Sequence, residues 1–497
     1  MDLDQSPALA ALWEFTSHLA DLIAQEHNSI WAFVVRNAYK PAMLRESFDV
    51  IVGNPPWLSY RYIADPEYQA EVKRRAVDDY QIAPRLQKLM TQMELATVFL
   101  VHTLDVFGRV GARLAFVMPR SVLTADQHAN LRTRNYIAKV ALEQYWDLRD
   151  VSPLLNVPSC VLFAARKAPG QASNTYTLPA VECQGRLPRR DPDTADAVRL
   201  LRRRTATARL IYMGERTALS TAAGRTQPTY GSAYRGRFRQ GAIIVPRNCY
   251  FVAVDGADEP PRDNKLYRIA TEPEQAKLAK KPWNGITLEG DVEGRYLFRA
   301  VMAKHLLPFH LLEPDHVVLP MARNGTGPIM LGVDALRRRG DRRMAAWLQA
   351  VEKHWGKHRG KKTGLSAVER LDFQHGLTNQ RADSGALVLY NASGMHVAAC
   401  AVEAGAFGGR LVVDHKLYWA ECASLDEALY VAAVLNSEAV NDAIKPFQSL
   451  GLLGERDIHK KVLDVPIPNF SAAKRLHRDV AAYFGDADPA IRSKAIT

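Results

Sequence analysis

The first third of the chain alternates between short apolar runs and longer stretches with helical spacing. Residues 48–53 are a short, mainly apolar run rich in β-branched residues, residues 112–118 are a second mainly apolar run of strand length, and both predict buried strands. The same patterns predict further strands at 141–146 and 159–164 and helices over 9–39, 65–85, 93–107 and 124–136. This succession is typical of an α/β fold with right-handed parallel crossovers and a hairpin-like finish, about half of a doubly wound domain.

The exit from the first strand is its most unusual feature. Asn54-Pro55-Pro56-Trp57 follows the apolar run directly. Two consecutive prolines lack backbone N–H donors, so the chain cannot continue in the sheet. The amide and the indole therefore lie at the carboxyl end of a strand, where open α/β sheets bind ligands. An amide, proline carbonyls and a flat aromatic ring together are suited to hold an extruded nucleobase.

The composition is that of a soluble globular protein with two or three domains, at 497 residues, 47% hydrophobic and 24% charged. No apolar run approaches the roughly 20 residues that span a membrane, and the acidic start lacks the features of a signal peptide. Five scattered cysteines without CxxC spacing predict a reduced, cytoplasmic protein without a zinc site. The net charge of +12 favours a polyanionic partner, either nucleic acid or acidic protein.

Residues 48–57, FDVIVGNPPW, resemble the catalytic motif of N6-adenine DNA methyltransferases. Residues 93–99, 111–121 and 157–163 resemble the next helix and strands of these enzymes, and segments at 428–437 and 451–468 resemble the target-recognition region of large adenine methylases. The resemblance is dense over 48–166 and thin over 230–470. Such methylases occur in restriction and phage-defence systems.

The resemblance implies roles for individual residues. Asn54 and Pro55 would accept the two hydrogens of adenine N6, Pro56 would complete the turn, and Trp57 would stack on the flipped base. Asp49 and Glu94 are the candidates for contact with S-adenosylmethionine. A second aromatic residue is expected before the last strand, but Ser152 occupies that place, which leaves Tyr145 or Trp146 as substitutes.

The glycine-rich turn that binds S-adenosylmethionine in this family has no counterpart before residue 48. The chain thus resembles the carboxyl half of a methylase. In the full fold the strand at 48–53 is central, so alone it would expose an unpaired apolar edge. We therefore expect a partner chain that completes the sheet and brings the cofactor; a truncated remnant is the other possibility.

Four segments are predicted. They are a helical lead-in (1–46), half of a Rossmann-like class I methyltransferase domain (47–167), a mixed α+β target-recognition region (176–470) and a helical tail (471–497), with a linker over 168–175.

Three basic clusters are candidates for contact with double-stranded DNA. The first, over 199–204, is expected to be helical, the second interleaves arginines with aromatic residues over 234–241, and the third spans 337–362, where glycines predict a mobile second half. The candidate residues are Arg202, Arg203, Arg235, Arg237, Arg239, Lys357, Arg359 and Lys361.

Together these features predict the catalytic and target-recognition portion of a DNA (adenine-N6) methyltransferase from a restriction-modification or phage-defence system. The alternative is a catalytically inactive DNA-recognition subunit, whose half-domain serves only for assembly. Methylation of RNA or protein agrees less well with the large recognition region. No metal is expected, because His354 and His358 lie among lysines and arginines.

Overall fold

The computed structural model describes residues 7–25, 37, 40–83, 87–167, 176–227, 229–256, 260–324, 327–360, 364–380, 385–403, 405–451 and 454–486. The chain forms two compact units. The first comprises Met1–Leu210 and Leu219–Thr221, and the second Ile211–Ala218 and Ala222–Thr497. The predicted linker over 168–175 lies outside the described residues.

The first unit contains a sheet and the helices around it. Its helices are α1 (Pro7–Ala24), α2 (Pro66–Arg74), α3 (Gln87–Met90), α4 (Leu95–Phe107), α5 (Ala129–Thr133) and α6 (Thr194–Leu200). The strands of the sheet are β1 (Phe48–Gly53), β2 (Gly108–Pro119), β3 (Val140–Ser152), β4 (Ser159–Arg166), β5 (Thr177–Arg186), β6 (Arg202–Met213) and β7 (Arg216–Ser220). The boundary between the units falls within the β6–β7 hairpin.

The strand order of this sheet is β1-β2-β4-β3-β5-β6-β7. β1 and β2 are parallel and joined through α4, whereas β4 runs antiparallel between β2 and β3. The predicted α/β class, with a parallel crossover and a hairpin-like finish, is confirmed. β5, β6 and β7 continue the same sheet past residue 167, the predicted end of the catalytic half.

The two faces of this sheet differ in burial. On one face, alternate side chains of β2 pack against α4, and Leu114, Phe116 and Met118 are at most 5% exposed. On the other face Val50 and Val52 are 68% and 77% exposed, so the prediction that the strand at 48–53 is buried is wrong. The physical reason is that β1 is the end strand and, among the described residues, pairs only with β2.

The exposed apolar surface extends from β1 across its neighbours. Register places Val52 beside Ala115 and Phe163, and places Val117 beside Val161 and Trp146, all on the same side of the sheet. In the part of the chain that the structure describes, these side chains remain half-buried or exposed. We call this surface the open face; its residues are Val50, Val52, Ala115, Val117, Trp146, Val161 and Phe163.

The second unit is mixed α+β. Its helices are α7 (Arg247–Tyr250), α8 (Pro273–Leu278), α9 (Val333–Arg338), α10 (Arg342–His358), α11 (Ala367–Leu371), α12 (Leu425–Asn436), α13 (Glu438–Ile444) and α14 (Arg475–Asp486). Its strands are β8 (Arg239–Gln240), β9 (Val252–Val254), β10 (Leu266–Thr271), β11 (Glu289–Glu293), β12 (Leu297–Val301), β13 (Leu306–Leu307), β14 (His310–Leu311), β15 (Asp315–Val318), β16 (Met321–Asn324), β17 (Gly327–Met330), β18 (Ala386–Asn391), β19 (Ala399–Glu403), β20 (Leu411–Val413), β21 (Leu417–Cys422), β22 (Leu450–Gly451) and β23 (Gly454–Glu455).

Short sheets build the core of the second unit. The orders β19-β18-β21-β8, β11-β10-β9 and β15-β12-β20 describe its larger sheets. α12 packs on β18 and β19, and α10 packs on β11. Among the helices that the structure describes, none combines the length and the apolarity needed to cross a bilayer.

Candidate active site

The turn after β1 presents an amide and an indole at the carboxyl end of the strand. Asn54 is exposed, Pro55 is buried and Trp57 is half-buried. The indole Nε1 of Trp57 donates to the backbone carbonyl of Val117, at 3.2 Å. Gly53 allows a close approach here, because a Cβ at this position would lie 3.0 Å from the ring of Phe116. The ring of Trp57 is therefore held against the carboxyl end of β2 while the amide of Asn54 faces outward.

The chain after the turn is tied to the beginning of α4. The backbone N–H of Tyr60 donates to the carbonyl of Met93 at 2.8 Å, and that of Leu95 donates to the carbonyl of Leu58 at 2.9 Å. Ser59 and Glu94 form an isolated β-bridge between these hydrogen bonds. The turn, the amino end of α4 and the carboxyl ends of β1 and β2 thus form one site.

The carboxylate of Glu94 is held within the protein. Ser121 Oγ donates to one oxygen at 2.9 Å, and His128 Nε2 contacts the other, which also accepts from Gln127 at 3.5 Å. Burial acts to raise the pKa of Glu94, but the charge of His128 and these hydrogen bonds outweigh burial and lower the pKa below its ordinary value of 4.5. Thr97 Oγ1 lies 3.1 Å from Nδ1 of His128. Both carboxylate oxygens are therefore engaged by the protein itself.

An ion pair joins Arg120, directly after β2, to Asp147 within β3. Nε of Arg120 donates to the two oxygens of Asp147 at 3.0 and 2.9 Å. The two side chains are only 16% and 12% exposed, and Asp147 also accepts from the backbone N–H of Arg149 at 3.0 Å. This pair spans the intervening strand β4 and fixes the strand ends beside the site.

The three candidates for a second base-stacking residue differ in side-chain type and in exposure. Ser152 is exposed at the end of β3 and offers no ring. Tyr145 is 2% exposed within the core, so it is not accessible to a base. Trp146 is half-buried on the open face, with its ring 5.4 Å from that of Phe163.

Asp49 does not lie with the other site residues. It is near the beginning of β1, where its carboxylate pairs with Arg109 at 3.0 Å. At a rise of about 3.3 Å per residue, it is roughly 16 Å along the strand from Asn54.

The sequence did not single out His128 or Arg120 as site residues. Arg120 directly follows a predicted strand, and this position could have identified it as a site residue. Nothing in the sequence around His128 indicates a role in the site.

The first basic cluster lies on a strand rather than a helix. Residues 202–204 begin β6, so the expectation of a helix there is wrong; the preceding helix α6 ends at Leu200. Arg202 and Arg203 are exposed, and the guanidinium of Arg203 lies 5.8 Å from the centre of the Trp146 ring. Arg204 pairs with Glu182 across the β5–β6 ladder.

Two arginines of the second cluster have partners within the second unit. Arg235 pairs with the buried Asp464 at 2.9 Å, and Arg237 pairs with Glu427 at 2.7 Å. Arg239, on β8, is exposed and has no ion-pair partner among the described residues. Arg239 is consequently the freest of the three to contact DNA.

The third cluster lies on and after α10. This helix continues through Gly356 to His358, so the mobile loop expected in the second half of the cluster is wrong up to that residue. Lys357 is exposed, and Arg359 donates to the carbonyl of Leu365 at 3.1 Å. Lys361 lies outside the described residues. Throughout the described ranges, no group of three or more His, Cys, Asp or Glu side chains could hold a metal ion.

One comparison with known proteins matches a family model over part of the chain. Residues 9–152 match the family model described as Eco57I restriction-modification methylase. No curated protein matches the chain.

Solved structures similar to the chain include restriction-modification enzymes. The type IIL enzyme MmeI in complex with DNA is 13% identical, with a TM-score of 0.46 over 83% of this chain and 45% of that chain. A DrdV–DNA complex is 10% identical, with a TM-score of 0.39 over 88% and 44%. The type IIG restriction endonuclease BpuSI is 14% identical, with a TM-score of 0.28 over 90% and 50%. The chain thus spans about half the length of these proteins, and its amino-terminal part is similar to restriction-modification methylases.

Proposed function

We propose that this chain is the catalytic and target-recognition portion of a DNA (adenine-N6) methyltransferase in a restriction-modification or phage-defence system. The observation that carries the proposal is the turn after β1. It combines an outward-facing Asn54 amide with a Trp57 ring that Val117 holds in place at 3.2 Å. The match of residues 9–152 to a methylase family model supports the same class.

The chemistry of adenine explains why such a turn is suited to the reaction. The lone pair of N6 is delocalised into the ring, so the free amine is a poor nucleophile. Accepting its hydrogens on Asn54 Oδ1 and the Pro55 carbonyl favours an sp³ nitrogen and stabilises the positive charge that develops. The remaining requirement is alignment for in-line attack, so no general base is needed. Trp57 stacks on the flipped base and offsets part of the cost of unstacking it.

S-adenosylmethionine supplies the methyl group in this proposal, but the candidate residues of this chain do not form a pocket for it. Ser121, Gln127 and His128 engage the oxygens of Glu94. Asp49 pairs with Arg109 near the opposite end of β1. We therefore propose that the cofactor-binding half is supplied by a partner chain.

The open face supports a partner at this place. Val50 and Val52 lie on an end strand and are more than half exposed. An unpaired strand edge beside an apolar surface is a liability that proteins cover or pair. A partner strand that adds to β1 would pair with the backbone groups of the edge that no described strand covers, and the neighbouring elements of the partner would bury the two valines.

Contact with double-stranded DNA is proposed for the target-recognition region, residues 176–470. The residues that favour it are cations on exposed positions: Arg202, Arg203, Arg239 and Lys357. Arg235 and Arg237 are better explained as structural, because Asp464 and Glu427 pair with them.

The test of this function is methyl transfer by the chain in its native assembly. The tagged chain is purified from its source cells with its associated proteins. Transfer of labelled methyl groups from S-adenosylmethionine to unmodified duplex DNA is measured, and the product nucleoside is identified by mass spectrometry. We expect N6-methyladenine. Asn54→Ala should lower the rate by about 10²–10³-fold, the usual effect of removing one group that stabilises transition-state charge.

Asn135→Ala is the matched control, since Asn135 is an exposed asparagine of the same unit outside the site. It should leave the rate unchanged, and DNA binding should be equal in all three proteins. An assembly that binds DNA but methylates no base, with or without Asn54, would instead identify a catalytically inactive recognition subunit.

A further inference from the structure

The second unit contains a cavity that the proposed methyl transfer does not use. It has a volume of about 560 Å³ and opens between α7, α8 and the carboxyl end of α10. Two indoles and several aliphatic groups form its walls, and cations lie around it. The lining residues that carry the argument are Arg247, Leu278, Lys280, Trp283, Trp355 and Arg359.

The two indoles form a fixed aromatic surface. The rings of Trp283 and Trp355 are stacked, with centroids 5.6 Å apart and planes inclined by 20°. Trp355 is 7% exposed, and its Nε1 donates to the carbonyl of Leu365 at 2.8 Å. The carbonyl of Trp283 accepts from the side chain of the buried Asn248 at 3.0 Å. Trp283 itself is only half-buried and lines the cavity, where the ring of His358 lies 5.5 Å from its ring at an inclination of 58°.

The charges around the cavity are positive. Within the described ranges, Lys280 is exposed without an ion-pair partner, and the guanidinium of Arg359 donates to the backbone carbonyls of Gly364 and Leu365. Arg247 is different, because it pairs with the fully buried Asp414 at 2.8 Å. No carboxylate is among the described lining residues. The cavity thus combines a flat aromatic wall with two cations that pair with no acidic side chain of the described residues.

We propose that this cavity binds a nucleotide, with the base stacked on Trp283 and the phosphate beside Lys280 and Arg359. Every nucleobase has a π-face that can extend a stack of aromatic side chains. Lysine and arginine at the rim are the usual partners of a phosphate. The volume lies within the range of small-molecule sites. A ligand that is only aromatic would not use the cations, and one that is only anionic would not use the indoles.

The nucleotide could come from two sources with the same chemistry. One is a free mononucleotide, and the other is an unstacked nucleotide of a single strand. The inference does not depend on methyl transfer, because it rests on the second unit alone.

The experiment is calorimetric titration of the full chain with adenosine 5′-monophosphate, using ribose 5-phosphate as the matched ligand without a base. We expect saturable binding of the first and none of the second. A short single-stranded oligodeoxynucleotide is then titrated against the complex with adenosine monophosphate. Displacement assigns the site to nucleic acid, and absence of displacement assigns it to the free nucleotide.

Two variants locate the binding. Trp283→Leu keeps an apolar side chain but removes the ring, and should weaken binding at least about fivefold, as expected for loss of a base stack. Lys280→Glu should weaken binding by a similar factor through repulsion of the phosphate. The controls are Trp13→Leu, at a tryptophan that is 76% exposed on α1, and Lys277→Glu, at an exposed lysine of α8; both should bind like the unmodified chain.

The proposal is overturned if neither adenosine monophosphate nor the oligonucleotide binds. It is equally overturned if binding survives in Lys280→Glu and Trp283→Leu alike. Lys280 is exposed, so its variant remains informative even if the change at Trp283 destabilises the unit.

Discussion

β1 and β18 are six-residue strands of similar apolar composition in opposite surroundings. β18 lies between β19 and β21, and all six of its residues are buried. Its alternate side chains enter two separate apolar clusters, with Val388 in one and Leu389 in the other. Among the described residues β1 has a strand on one side only, and Val50 and Val52 are more than half exposed.

The difference shows that an apolar strand pattern predicts burial of the side chains but does not predict which strands, helices or partner proteins bury them. The side chains of β18 are buried within the second unit, by the neighbouring strands and by α12. In β1, Val50 and Val52 on the open face are more than half exposed, and Ile51 on the opposite side is only half-buried, as far as the described residues reach. A binding partner is the physical explanation that we propose for an exposed face of this kind.

The largest expected effect lies in β18. Leu389→Ala removes a side chain that is 0% exposed from a well-packed cluster. The free energy of unfolding should fall by about 2–5 kcal/mol, through lost burial and the cavity left behind. Urea unfolding followed by circular dichroism measures it. A loss below about 1 kcal/mol would mean that β18 is less enclosed than the structure shows. It would contradict the claim that β18 is buried where β1 is exposed.

A second variant tests whether the whole sheet of the first unit is loosely packed or whether only β1 has exposed side chains. Asp147→Asn on β3 weakens the ion pair with Arg120, whose side chain is only 16% exposed. The unfolding free energy should fall by about 1.5–3 kcal/mol, the range for hydrogen bonds to charged groups. Asp150→Asn is the control, at a side chain that is 54% exposed, and should change little. Equal effects of the two variants would show that the end of β3 is as loosely held as β1.

The pH dependence of stability tests the site beside β1. The pKa of Glu94 is lowered in the folded protein, so its contribution to stability is present above the unfolded value near 4.5 and is lost as the pH falls through the folded pKa. Glu94→Gln should therefore flatten the decline of unfolding free energy below pH 4.5. Glu67→Gln, at an exposed glutamate of α2, should keep the slope of the unmodified protein. If both variants keep that slope, the contacts with His128 and Ser121 do not hold the ionised carboxylate.

The smallest effect on the isolated chain is expected in β1. Val52→Ala shortens a side chain that is 77% exposed, and should change the unfolding free energy by at most about 0.5 kcal/mol. The assembled state should respond differently, because Val52→Asp would place a charge in the proposed interface. Size-exclusion chromatography of the native assembly should show loss of the partner from Val52→Asp. Unimpaired assembly of Val52→Asp would contradict the proposal that the open face binds the partner.

How far the sequence predicted the fold depended on the range of the interactions. β1, β2, β4 and α4 were expected close to their observed positions, because strand runs and helical spacing are local patterns. The sequence predicts a buried β1, with an exposed edge only if the other half of the domain lies on another chain. The continuation of the sheet through β5–β7 is not predicted, since strand neighbours are decided by tertiary contacts. The turn at Asn54 was located from the two prolines alone.

The environment of the charged residues could not be predicted for the same reason. The sequence predicts DNA contacts for Arg235 and Arg237 but does not show their ion-pair partners Asp464 and Glu427, which are about 190 or more residues away along the chain. Glu94 was placed near the cofactor, whereas His128, 34 residues further on, contacts its carboxylate. One sequence does not show which distant charges meet.

The most direct test of the central claim is calorimetric titration of S-adenosylmethionine into the isolated chain and into the chain in its native assembly. We propose that this chain provides the adenine half of an active site and that a partner provides the methyl donor. We therefore expect saturable binding by the assembly and none by the isolated, folded chain. Comparable affinity in the two samples would contradict it, because the cofactor site would then lie within this chain.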